Sequence, residues 1–293
     1  MITFLLLGDS VLLFPVKEVV REGKALVVNG KVRAESLPDL LDSIRVRRGR
    51  TYIYPNHRYA YGEIRGDTLV LFSKGVFAVV VDPGHGGTDF GAVGVSGVKE
   101  KDITLAVGLK LARLLKDEGY RVFLTRSEDR FVSLFERGEL ANSVSAKYKI
   151  YVSLHCNFMS DPRAEGVETY ILTLDKVTDR RAAAVVENMP YAHLGSLKGI
   201  IGDMLQNLFL EDSRELALAL HLRLKNYTKD RGVRQANFYV LRQIYFPSVL
   251  LELGYISNPE EAQKLQDTSY QDALVRDITR GIDDFFMEKF AEK

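Results

Sequence analysis

Val76-Phe-Ala-Val-Val-Val81 is an unbroken apolar run, and Asp82-Pro-Gly-His-Gly-Gly87 follows it directly. A short apolar run closed by a proline–glycine turn is the pattern of a strand buried on both faces, as in a parallel sheet. Working outward from it, residues 103–115 carry apolar side chains at 103, 106, 107, 111, 114 and 115, which fall on one helical face. Asp102 is the expected N-cap and Gly119 the expected C′ residue of that helix. Strands are expected at 121–125, 149–154, 167–172, 238–241 and 248–253. Helices are expected at 134–145, across about 179–229, and from near Pro259 and Tyr270. Strands alternating with helices predict an α/β fold, a mostly parallel sheet with helices packed on it.

The chain before this point has a different texture. Short β-rich runs at 2–7, 11–16, 25–28, 51–54 and 68–72 are separated by turn residues such as Asn29-Gly30 and Arg65-Gly66-Asp67. Residues 36–44 read as a short helix. The expected organisation is a small β-rich N-terminal domain over 1–74 and a larger domain over 75–293. The 293 residues, 46% hydrophobic and 27% charged, are ordinary for a globular chain and exclude disorder or a coiled coil as the main architecture. Forty basic against 39 acidic residues leave a net charge of +1, so there is no global field to capture nucleic acid. The single cysteine, Cys156, excludes an intramolecular disulfide. The apolar start lacks a basic region and is interrupted by Asp9, so it reads as two strands rather than a leader. No run of about 18 apolar residues predicts a membrane span.

Five histidines are present, and two share a setting. His85 lies just past the strand 76–81 and His155 just past the strand 149–154. If the two strands are parallel neighbours, both imidazoles emerge at the carboxyl edge, where open α/β sheets place their ligands. Glu100 opens the next helix after a glycine-rich loop that can fold back over the same edge. Glu252 sits inside Val249-Leu-Leu-Glu-Leu253, where a carboxylate is costly to bury unless paired or metal-bound. Two histidines and two carboxylates at one edge suit zinc, whose catalytic sites keep three protein ligands and one open position. Plainer readings compete. A lone histidine after a strand is more often a hydrogen-bonding residue. The glycine-rich stretch 84–94 lacks the spacing of a phosphate loop. Cys156 beside His155 suggests a Cys/His nucleophile, but strand neighbours face opposite sides, which sends Cys156 to the core.

Several further pieces stand in order: Glu100-Lys-Asp-Ile-Thr-Leu105, Val122-Phe-Leu-Thr-Arg126, Leu134-Phe-Glu-Arg137 with Ala141-Asn142, Val152-Ser-Leu-His-Cys-Asn157, Gly166-Val-Glu-Thr-Tyr170, Phe238-Tyr-Val-Leu-Arg242 and Pro247-Ser-Val-Leu-Leu-Glu-Leu-Gly-Tyr-Ile-Ser-Asn-Pro259. With 81–92, these make the stretch from about 76 to 289 resemble the zinc-dependent N-acetylmuramoyl-L-alanine amidases of the Amidase_3 family, bacterial cell-wall hydrolases. The resemblance implies one twisted, mostly parallel sheet of about six strands with helices on both faces. It places the zinc ligands on His85, Glu100 and His155 and the catalytic glutamate on Glu252, the four residues the sheet-edge reading selects. It also implies a peptidoglycan substrate, cleaved at the amide between N-acetylmuramic acid and L-alanine, and a periplasmic or extracellular location. Lys147 and Cys156 depart from the family's usual Asp and Ala; neither position is a ligand. Asn157 is a candidate substrate contact or a strand-end cap, and Arg126 a candidate carboxylate contact or an ion-pair partner of Asp129.

Two rivals share part of this pattern. A zinc peptidase cutting within the stem peptide would use the same ligands and release shortened peptides. A non-catalytic cell-wall binder usually lacks a ligand or the glutamate, and here all four are present. One stretch, 178–212, exceeds what catalysis needs and resembles the regulatory insert of division-associated amidases in the family. By that resemblance Glu187 fills the open metal position until an activator protein releases it; the plain alternative is a solvated charge on a surface helix.

Overall fold

The computed structural model describes residues 68–173 and 208–291 continuously, together with 5–7, 11–15, 19–22, 25–29, 41–47, 50–55 and 60–65, with side chains from Lys74 onward. Eight N-terminal strands, β1 to β8, form two antiparallel four-stranded sheets. One has β1 (Leu5–Leu7), β2 (Val11–Pro15), β8 (Thr68–Ser73) and β7 (Ala60–Arg65) in that order. The other has β3 (Val19–Glu22), β4 (Ala25–Asn29), β6 (Arg50–Pro55) and β5 (Leu41–Arg47). The helix expected over 36–44 is corrected in its second half. Residues 41–47 are a strand whose Ile44 and Val46 pair with Ile53 and Thr51 of β6. Ladder pairing overrides the local helical pattern there.

The larger unit is a six-stranded sheet in the order β10-β9-β11-β14-β12-β13. Its strands are β9 (Phe77–Pro83), β10 (Arg121–Leu124), β11 (Tyr148–Asn157), β12 (Val167–Leu172), β13 (Asp230–Ala236) and β14 (Ser248–Tyr255). Every neighbouring pair is parallel except β12 with β14. The helices are α1 (Glu100–Asp117), α2 (Leu134–Ser143), α3 (Leu210–Leu224), the single turn α4 (Tyr239–Arg242), α5 (Pro259–Gln266) and α6 (Thr268–Ala291). None of them is long and apolar enough to cross a membrane.

Period-two alternation divides the core between the two faces of the sheet. Phe77, Val79, Val81, Ile150, Val152 and Leu154 pack with α1, α3, α5 and α6. Ala78, Val80, Tyr151 and Leu250 pack with residues of α2 and α4. This is why β9 and β14 carry apolar runs, Phe77 to Val81 and Val249 to Leu251, where a half-exposed strand would alternate. Full burial of each such side chain contributes about 1.5–3 kcal/mol, ample to carry a few buried polar groups at the strand ends.

Three local expectations change. α1 starts at Glu100 after Lys99, so Asp102 lies in the first turn instead of capping it. Gly119, at φ 89, ends that helix as expected. Residues 239–242 form a helical turn in which the Arg242 N–H donates to Phe238 O, and the strand lies earlier, at β13. An edge strand as polar as Asp-Arg-Gly-Val-Arg-Gln-Ala carries little apolar signal, whereas Phe-Tyr-Val-Leu carries a strong but misleading one. α2 opens with a capping box, Ser133 accepting from Glu136 N and Glu136 accepting from Ser133 N. Such a cap is worth about 1 kcal/mol.

Candidate metal and catalytic site

The chain leaves β9 toward β10 on one side and leaves β11 toward β12 on the other, so these neighbouring strands flank the switch point of the sheet. His85 stands just beyond β9, and His155 lies within the last turn of pleat of β11. Glu100 is the first residue of α1, where the helix dipole favours a carboxylate. The ligand atoms of His85, Glu100 and His155 all lie within 4.8 Å of one another. His85 Nε2 is 3.2 Å from Glu100 Oε2, and His155 Nδ1 is 3.0 Å from Glu100 Oε1. The ring centroids of the two histidines are 5.0 Å apart, edge to face.

Each member is fixed from behind. Glu100 accepts backbone N–H groups from Ala92 at 2.9 Å and Cys156 at 2.9 Å. His85 turns Nδ1 to Asp89 Oδ2 at 2.8 Å, which leaves Nε2 for the cluster. Such an outer carboxylate sets the tautomer and orientation of a metal-binding imidazole. His85 has φ 59, the only positive φ of a non-glycine among the described residues. That conformation stores roughly 1–3 kcal/mol of strain. Glycine is required at two neighbours. A Cβ on Gly84 would lie 2.5 Å from the His155 ring, and one on Gly91 would lie 2.5 Å from Glu100 Oε2.

The charges show what kind of ligand the cluster suits. Burial disfavours an ionised Glu100, yet the hydrogen bonds from His155 and His85 hold its carboxyl well below the usual range. Burial opposes a protonated His85, but its bonds to Asp89 and Glu100 prevail and push its pKa up to about 10. A carboxylate this buried gathers cationic partners. A divalent ion satisfies the same demand, displacing the His85 proton as it binds. Two imidazole nitrogens and a carboxylate are a donor set zinc accepts.

Glu252 pairs in register with His155 on one side and with Glu168 on the other. It is 6% exposed, and its Oε2 is a buried side-chain oxygen with no hydrogen-bond partner among the described residues. An orphan of this kind costs about 1–3 kcal/mol and calls for a role. Burial first, then the negative charges of Glu100 and Glu168, push its pKa well above the usual carboxylate value. A cavity of about 380 Å³ opens beside it. His85, His155 and Glu252 line it, with apolar walls from Phe131, Leu134, Phe238 and Val240.

Other expected residues take plainer places. Cys156 is 3% exposed and belongs to the core behind the sheet, as the strand alternation requires. Asn157 is engaged at both ends, donating to Glu168 Oε2 at 3.2 Å and accepting from Phe158 N at 2.8 Å. Arg126 forms no ion pair with Asp129. It points inward to backbone carbonyls, and Asp129 instead accepts from Lys101 Nζ at 2.6 Å. Glu187 and most of the expected insert lie outside the described residues. Sequence reasoning passed over Asp89 and Asp82. Asp82 follows an apolar run just as Glu252 interrupts one, so the same test of a carboxylate in an apolar strand applies to it.

A sheet-edge cavity holding a His–Glu–His cluster beside a buried carboxylate defines a site suited to a metal ion at the edge of an α/β sheet. The family model of Amidase_3, N-acetylmuramoyl-L-alanine amidase, matches residues 79–284, and the chain belongs to this family. N-acetylmuramoyl-L-alanine amidase AmiA of Escherichia coli K12 is 31% identical over 228 residues, 73% of this chain and 78% of that relative. AmiC of Neisseria meningitidis serogroup B is 33% identical over 215 residues, 70% of this chain, which spans 51% of that relative's length. The solved structure of AmiC2 of Nostoc punctiforme aligns with a TM-score of 0.56 at 30% identity, covering 75% of this chain and 99% of its own.

Proposed function

We propose that this chain is a zinc-dependent amidase that hydrolyses the bond between the lactyl group of N-acetylmuramic acid and L-alanine of the peptidoglycan stem. The observation that carries the reading is the orphaned, buried Oε2 of Glu252 beside the His85–Glu100–His155 cluster. His85 through Nε2, His155 through Nδ1 and Glu100 would hold the ion. When bound, zinc supplies Lewis acidity, polarising a carbonyl and lowering the pKa of water towards about 7. Glu252 takes a proton from the attacking water as the new C–O bond forms. It then gives that proton to the alanine nitrogen as the C–N bond breaks. The products are a free lactyl carboxylate and a peptide amine. The apolar wall of Phe131, Leu134, Phe238 and Val240 keeps bulk water from the base.

This reading assigns the chemistry to residues 75–293 and a periplasmic or extracellular site of action, where peptidoglycan lies. The N-terminal sheets carry no assigned role. The test is metal removal. Chelation of the purified protein should abolish amide hydrolysis, and zinc added back to about one ion per chain should restore it. Full activity in the chelated, metal-free chain would overturn the reading.

The reading extends to regulation. A fourth ligand from Glu187 would leave no open position, so a partner favouring the released state would be needed for activity. Glu187→Ala should then raise activity measured without any partner, by several-fold or more. Unchanged activity would leave Glu187 as a surface charge and the catalytic assignment intact.

A further inference from the structure

His85 is the one member of the cluster outside regular structure. His155 lies within β11 and Glu100 opens α1, but β9 ends at Pro83. Its position and its left-handed backbone therefore depend on what grips the loop. Two buried guanidiniums do so. Arg137 of α2 donates Nη1 to Pro83 O at 2.8 Å, Nη2 to His85 O at 2.7 Å and Nε to Val132 O at 3.1 Å. Arg126, after β10, donates Nε to Pro83 O at 2.9 Å and Nη2 to Gly84 O at 2.8 Å. The same Nη2 reaches Lys101 O at 2.8 Å, at the start of the helix that carries Glu100. Three consecutive carbonyls, of residues 83, 84 and 85, thus end on arginine side chains that are 1–2% exposed.

Asp82 locks Arg137 in turn. It accepts Arg137 Nη1 at 2.6 Å, Thr125 Oγ1 at 2.5 Å, Tyr151 OH at 2.6 Å and Ser153 Oγ at 2.7 Å. Burial opposes its ionisation, and the Arg137 charge with the three hydroxyls holds the carboxyl far below its usual range. Buried charges are poor sources of stability, because apolar groups of similar volume commonly do as well. What they supply here is direction. The planar fork of arginine can hold several carbonyls at fixed angles, which the point charge of lysine cannot.

We propose that Arg137 and Arg126 are positioning residues for the metal site, holding the His85 peptide in its left-handed conformation so that Nε2 faces Glu100 and His155. The inference rests on the reading of those three residues as metal ligands. Positioning groups around a metal ligand typically change affinity by roughly 10–100-fold when altered.

The test uses the full chain with Arg137→Lys and Arg126→Lys. Leu274→Ala, a core substitution on α6, serves as a control for general destabilisation. Zinc affinity is read by competition with a chromophoric chelator, ligand geometry by the visible spectrum of the cobalt-loaded protein, and folding by circular dichroism. The lysine variants should fold, bind zinc roughly 10–100-fold more weakly, and shift the cobalt bands. Leu274→Ala should melt earlier with unchanged affinity and spectrum. Wild-type affinity and spectrum in both folded lysine variants would overturn the proposal, as would a loss no larger than that of Leu274→Ala. If Arg137→Lys does not fold, Arg126→Lys is read in the same way, and failure of both to fold would mark the pair as purely structural. A wild-type chain that binds no zinc would instead overturn the metal reading, on which the proposal depends.

Discussion

Glu252→Gln should lower kcat by roughly 100-fold or more while metal content stays at the wild-type level. Glutamine keeps the shape of the side chain but cannot take the water's proton. The structure adds a second expectation that separates loss of a base from loss of structure. Glu252 Oε2 is buried without a partner, between the register neighbours His155 and Glu168. Glutamine carries no charge, so it escapes the burial penalty and the repulsion with Glu100 and Glu168 that an ionised carboxylate meets there. The variant should therefore melt at the same temperature as the wild type or higher, with far lower turnover. A variant that melted earlier and lost activity in proportion would be damaged rather than disarmed. Near-normal turnover would move the role of base to another group.

His85→Ala and His155→Ala should each reduce bound zinc from about one per chain to near zero and bring hydrolysis below detection. Each removes one of the two imidazole nitrogens in the cluster and leaves Glu100 buried with one fewer partner. Both variants should keep the six-stranded sheet, because His85 lies beyond β9 and the His155 side chain is not part of either apolar core. Loss of zinc also removes the stability that binding contributes, so the gap in melting temperature between wild type and variant should close when both are stripped of metal. Full zinc occupancy in the double variant would place the metal elsewhere.

Much of this site was legible in the sequence because it is made of violations. A glutamate inside Val249-Leu-Leu-Glu-Leu253 breaks an otherwise apolar strand, and a histidine stands just past Val76-Phe-Ala-Val-Val-Val81; burying the carboxylate is costly unless pairing, metal binding or a catalytic role offsets it. The central strands were legible because both faces of the sheet are covered, so β9 and β14 carry apolar runs, Phe77 to Val81 and Val249 to Leu251, in place of an alternation. The edge was not. Among the described residues β13 pairs only with β12; it carries Asp230, Arg231, Arg234 and Gln235 and shows no apolar alternation. The adjacent Phe238-Tyr-Val-Leu241 has the stronger β propensity but turns as α4, because Val240 and Leu241 bury against the opposite core. The guanidinium clamp was illegible for another reason. Its partners are backbone carbonyls, which no side-chain pattern encodes, and Arg126 and Arg137 stand more than 40 residues from the loop they hold.

The most direct test is a digest of purified muropeptides by the zinc-loaded chain, with products identified by mass spectrometry. The account predicts intact stem peptides beginning with a free L-alanine amine and sugars ending in a free lactyl carboxylate, in equal amounts. Shortened peptides, with L-alanine still joined to the sugar, would contradict it.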